Sequence, residues 1–91
     1  MPTSPKTEIT MTGPVARAIA RATTEFLAMQ QVELERFEVV AITADGTCEV
    51  VFLPAPDPGP TTRGGQSSAG REMHFWLSLV DGQLLRKSFA R

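Results

Sequence analysis

Cysteine is almost missing from this chain: its 91 residues hold one, Cys48. That excludes an internal disulfide framework and argues against a small secreted scaffold built on one. Histidine is as scarce, with His74 alone. A metal site needs several ligands, so one imidazole and one thiol make a poor start. No apolar run approaches the roughly 18 residues a membrane-spanning helix needs, and the first residues lack the apolar core of a secretory signal. Charge of one sign is also lacking. Nine Lys and Arg against ten Asp and Glu leave a net charge of −1, too little to steer the domain toward nucleic acid or an anionic membrane. A cytoplasmic protein without membrane association is the expectation. The hydrophobic fraction of 42% lies well above that of a disordered chain, and the length suits a single core.

Sequences that carry chemistry are equally sparse. No G-x-S-x-G frames a serine. Arg63-Gly64-Gly65 lacks the Lys-Ser/Thr and the following helix of a phosphate-binding loop. Arg86, Lys87 and Arg91 form a small basic cluster near Trp76 and Phe89, which could stack bases, but the domain is slightly acidic and the cluster small, which argues against nucleic acid. No cofactor, metal site or catalytic residue is expected.

What is present is strand and helix pattern. In Glu72–Arg91, two alternating apolar runs flank Asp81-Gly82, the strongest short-range hairpin signal because a type I′ turn needs positive φ at both positions. A two-residue loop would pair Trp76 with Lys87 and His74 with Phe89. Successive side chains point to opposite faces. One face then carries Met73, Phe75, Leu77, Leu79 and Leu84, and the other His74, Trp76, Val80, Leu85 and Phe89. Phe37–Ala44 and Thr47–Leu53 flank Asp45-Gly46 in the same way. Phe37, Val39, Ala41, Cys48, Val50 and Phe52 share one face, and Glu38, Val40, Ile42, Glu49, Val51 and Leu53 the other. Glu38 and Glu49 are not opposite each other and read as rim charges.

Residues 1–11 are polar, contain two prolines and have no period, so they read as a flexible tail ahead of a single domain at 12–91. Thr12-Gly13-Pro14 is a helix start, with a cap and a proline in the first turn. Val15, Ile19, Ala22, Phe26 and Met29 then recur at helical spacing. The helix is expected to end near Gln30 or Gln31. Residues 54–71, rich in Pro and Gly, read as a long surface loop. The expected fold is α+β: one N-terminal helix packed on a four-stranded antiparallel sheet of two hairpins, in the order α-β-β-loop-β-β. This order resembles the general cystatin-like layout, a helix followed by a curved antiparallel sheet. The glycine-containing Q-x-V-x-G wedge of the cystatins is absent, since Gln31-Val32-Glu33-Leu34 has no glycine, so the resemblance is one of layout and implies no function.

One helix can cover one face of such a sheet. The other face would hold Val40, Ile42, Val51, Leu53, Trp76, Leu85 and Phe89, more apolar area than a soluble monomer exposes. The expectation is therefore a non-enzymatic protein-interaction module, self-associating as a homodimer through this face or binding another protein. Trp76 would be its anchor. The alternative is a small-ligand-binding or sensing domain with an apolar pocket on that face around His74 and Trp76.

Overall fold

The computed structural model of the chain describes residues 6–56 and 66–89. Its architecture is α+β, one helix on a four-stranded antiparallel sheet. Helix α1 spans Gly13–Met29. Thr12 caps it, its side-chain oxygen accepting from the Val15 N–H at 3.4 Å, and Pro14 occupies the first turn. Gln30 is extended and ends it. A 3₁₀ turn, Leu34–Arg36, leads into β1 (Phe37–Ala44), which folds back on β2 (Thr47–Pro54). Short strands β3 (Gln66–Ser67) and β4 (Gly70–Arg71) form a separate small hairpin. β5 (Met73–Ser78) and β6 (Leu84–Phe89) complete the main sheet, whose order is β1-β2-β5-β6.

Of the tail expected at 1–11, residues 1–5 lie outside the described residues, and residues 6–11 carry neither helix nor strand. Of the loop expected at 54–71, residues 57–65 lie outside the described residues. The loop reading is corrected at both ends, because Pro54 closes β2 and the 66–71 stretch forms β3 and β4.

The first hairpin has the register its two-residue turn dictates. Val40 faces Val51 and Ile42 faces Glu49, with Asp45 and Gly46 both at positive φ. The core lies between this sheet and the helix. Ala18, Ala22 and Phe26 are its fully buried helical residues, against Cys48, Val50, Phe52, Met73, Phe75 and Leu77. The buried stripe is thus centred on the alanines, whose small side chains let the helix approach the sheet closely. Val15 and Ile19 flank it, and Met29 is exposed. Phe26 lies flat on Phe52, with centroids 4.2 Å apart and planes 3° apart. Phe37 and Phe75 meet this pair edge-on, Phe37 against Phe26 at 5.0 Å and Phe75 against Phe52 at 5.7 Å.

The second hairpin departs from expectation. Its turn is not a two-residue Asp81-Gly82 loop. The Ser78 N–H donates to the Gln83 carbonyl at 2.9 Å and the Gly82 N–H to the Ser78 carbonyl at 2.8 Å, so Leu79 to Gly82 form a wider loop. Tertiary contacts account for the width. The Leu79 N–H donates to the Gly46 carbonyl in the other hairpin's turn at 2.8 Å. Arg17 on the helix donates to the carbonyls of Leu79 and Val80, at 3.3 and 3.2 Å. Leu77 then pairs with Leu84 but Trp76 with Arg86, which leaves Leu85 as the extra residue of a β-bulge. A one-residue slip exchanges faces. Beyond the bulge Met73 faces Phe89 and Phe75 faces Lys87, so Phe89 packs against the core on the helix side, with the Arg71 guanidinium 4.1 Å from its ring centre.

The small hairpin is held to the helix end by one side chain. Gln30 donates to the Arg71 carbonyl at 3.3 Å and accepts from the Arg71 N–H at 3.2 Å, completing a strand-like pair. Gly70 sits beneath this clamp with φ +146, and a Cβ there would lie 2.9 Å from Phe37 and 3.0 Å from Val32. Gly46 also has positive φ, +75, but open space around it. Gly70→Ala is therefore expected to cost ~2 kcal/mol or more, conformational strain and crowding combined, and Gly46→Ala about 1 kcal/mol, from conformation alone. Urea unfolding midpoints of the two variants check this, and equal losses contradict the crowding at Gly70.

Candidate functional site

The sheet face away from the helix carries Val40 and Ile42 from β1, Glu49, Val51 and Leu53 from β2, His74 and Trp76 from β5, and Arg86 from β6. These positions follow from the observed registers. Of the seven residues expected there as an interface, five share the face: Val40, Ile42, Val51, Leu53 and Trp76. Phe89 does not, because the bulge turns it to the core. Leu85 is the bulge residue itself and is exposed.

The face is less apolar than the sequence suggests, for a reason that pairing makes plain. β2 and β5 run side by side with Val51 opposite His74 and Glu49 opposite Trp76. His74 is thereby placed diagonally to Glu49, and Glu72 lies two residues before it on the same strand side. Nδ1 of His74 is 2.6 Å from Glu49 Oε2, and Nε2 is 2.6 Å from Glu72 Oε2. Neutral imidazole has one N–H donor, whereas imidazolium has two. Only the protonated ring donates to both carboxylates. Burial lowers the His74 pKa, but the two carboxylate hydrogen bonds and the charges of Glu72 and Glu49 raise it, and the net direction is upward from 6.5.

Trp76 has two neighbours at its ring. The His74 ring stacks beside it at 5.8 Å and 24°, and the Arg86 guanidinium lies 4.6 Å from its ring centre, a cation–π arrangement. Val51, inside the same cluster, retains 5% exposure. The centre of the open face is therefore a knot of Glu49, Glu72, His74, Trp76 and Arg86, tied by two imidazole–carboxylate hydrogen bonds and two ring contacts. The expected contact pair His74 and Trp76 does come together, as part of this knot.

Its chemical reach is limited by its own bonds. Both ring nitrogens are engaged, on opposite sides of the ring, so the imidazole offers no lone pair to a substrate proton and the two carboxylates do not converge on one ion. Among the described residues no group of three His, Cys, Asp or Glu side chains is arranged to hold a metal. Cys48 is buried in the helix-side core, and burial raises its thiol pKa, so it is not a reactive thiolate. Glu49, Glu72 and Arg86 are the members of the knot that sequence reasoning missed. Glu72 was detectable as a same-face neighbour of His74. Glu49 and Arg86 needed the β2–β5 register and the bulge.

An apolar cleft lies elsewhere, on the helix side of the sheet. It has a volume of about 560 Å³ and is lined by residues 9–12 of the N-terminal segment, Val15 and Ile19 of the helix, and Val39 and Ala41 of β1. It exists because the helix sits over β2 and β5 and leaves β1 bare; seven of the eight β1 residues are exposed.

The knot makes a defined pH dependence. The folded-state pKa of His74 is raised, so its stabilising contribution is complete below the unfolded value and is lost as pH climbs through the folded one. Trp76 is the only tryptophan, and a stacked imidazolium quenches indole emission. Fluorescence of the folded protein should rise with pH, with a midpoint above 6.5, while the melting temperature falls over the same window; His74→Gln should flatten the fluorescence profile. A midpoint at or below 6.5 contradicts the double hydrogen bond. Comparison with known proteins finds no matching family model, no matching curated protein and no matching solved structure.

Proposed function

We propose that this protein is a non-enzymatic association module that works by forming a homodimer through the β1 side of its sheet. One observation carries the reading: a regular eight-residue strand at the edge of the sheet with exposed apolar side chains on both faces. Val40 and Ile42 point to the open face, next to Leu53 and Val51 on β2. Val39 is exposed on the helix side. Apolar surface of this kind, rimmed by polar groups, marks an interaction site. The polar knot favours β1 over a full face-to-face sandwich. Packing two open faces together would desolvate Glu49, Glu72, His74 and Arg86, and charges taken from water cost more than their pairing returns unless every bond is kept. Trp76, covered by Arg86 and His74, belongs to the rim of such an interface and not to its centre.

A second reading rests on the helix-side cleft. Its volume falls within the range of small-molecule sites, so an apolar ligand is the alternative occupant, in the cleft and not around Trp76. The described lining supplies few polar groups to orient a ligand, and part of it comes from an irregular segment, which favours association.

Light scattering on the full chain from micromolar to submillimolar concentration tests the proposal. The expected mass at the upper end is twice 9.9 kDa. Ile42→Lys, which places a cation opposite Glu49 and on the exposed edge strand, should give a monomer with a melting temperature within a few degrees of the original. A wild-type chain that stays monomeric over the whole range sinks the reading.

A further inference from the structure

The two edges of the main sheet are built differently, and the difference points to how the second copy docks. Edge strands are templates for pairing, and soluble proteins blunt them with charge, proline or bulges. β6 has two of these devices, the bulge at Leu85 and the cations Arg86 and Lys87. β1 has an unbroken register with β2, no proline, and one charge, Glu38, near its start. Val39, Val40 and Ile42 are 42%, 38% and 50% exposed. Among the described residues no strand pairs with its outer side.

Which backbone groups face outward follows from the turn. In a hairpin closed by two residues the flanking pair, here Ala44 and Thr47, is the hydrogen-bonded one, and the pattern alternates from there. Even-numbered residues of β1 thus bond to β2, in line with the Ala55 N–H donating to the Arg36 carbonyl at 2.8 Å just beyond the strand. The N–H and C=O groups of Val39, Ala41 and Thr43 point away from the sheet.

We infer that β1 pairs antiparallel with β1 of a second copy about a two-fold axis at Ala41, joining two four-stranded sheets into one of eight strands. The inference rests on the association reading above and names the joint. A two-fold axis normal to the sheet keeps the helices on one side and pairs residues of equal parity. Centred on Ala41, it sets Val40 against Ile42 of the second copy and Ile42 against Val40, in the close, non-hydrogen-bonded positions where apolar pairs gain most. Val39 meets Thr43 on the helix side. Glu38 faces Ala44, so the two glutamates lie at opposite ends, and Arg36 of each copy comes alongside Asp45 of the other. Centred on Val40 instead, the axis would press Glu38 against Ile42. The strand is therefore self-complementary in the first register, which favours a second copy over an unrelated strand. About six backbone hydrogen bonds form across the joint, two for each hydrogen-bonded pair. A strand edge alone falls short of the roughly 800 Å² per partner of a stable interface. The apolar cleft beside β1, with exposed Ile9 and Met11 at its margin, supplies further surface for the second copy to cover.

Two variants test the joint. Ala41→Pro removes an outward N–H and no bond to β2, and proline is tolerated at such edge positions. It should leave the circular dichroism spectrum intact and weaken dimerisation at least tenfold by light scattering. Ala41→Cys should be trapped as a covalent dimer by a short bis-thiol-reactive cross-linker acting on the folded protein, because the two-fold brings position 41 against itself at a Cα separation of about 5.5 Å. The original chain, whose Cys48 is buried, should form none. A wild-type dimer that Ala41→Cys fails to cross-link, or a folded Ala41→Pro that dimerises as before, overturns the β1 joint while leaving association standing. A monomeric wild type overturns both. If Ala41→Pro does not fold, the cross-link alone decides.

Discussion

The ring of Phe26 rests flat on the ring of Phe52, and this contact determines which strands the helix can shield. A helix with its side chains is about 10–12 Å wide, whereas four strands at ~4.8 Å spacing reach roughly 14 Å between outer axes, before side chains are counted. The helix therefore covers two strands well and four badly. With Phe26 seated on β2, and Ala18 and Ala22 bringing the backbone close, the shielded strands are β2 and β5, and their helix-side residues are the core. Phe37 is held at the start of β1 by its contact with Phe26, but the rest of that strand lies outside the helix's reach. The bare edge, the apolar cleft beside it and the proposed joint all follow from that width mismatch.

The other organising feature is the wide turn at Leu79–Gly82. Arg17 and the Gly46 carbonyl hold it from two directions, and the bulge at Leu85 accommodates it. The bulge does two things at once. It sends Phe89 inward to extend the core, and it brings Arg86 over Trp76. A face that would have been greasy across its whole width becomes polar at the centre and apolar toward β1. The charged centre resists burial, while along β1 only Glu38 bears a charge.

Local chemistry accounts for what was legible beforehand. Thr12 and Pro14 marked the helix start, Asp45-Gly46 set the first hairpin's register residue by residue, and the alternation within β2 and β5 put Cys48 on the core side and His74 on the other. Each of these depends on neighbours within a few positions. Glu72 was within the same range, two residues from His74, and could have been paired with it.

The amino-acid order by itself determined the element types, the α+β class and the first register, because caps, two-residue turns and period-two alternation act over a handful of residues. Tertiary structure alone decided the partner of Glu49, the place of Phe89 and the exposure of β1. The first needed β2 and β5 brought together across a long connection. The second turned on hydrogen bonds from a helix and a neighbouring turn that outweighed the local preference of Asp81-Gly82. The third turned on where along the sheet one aromatic ring came to rest.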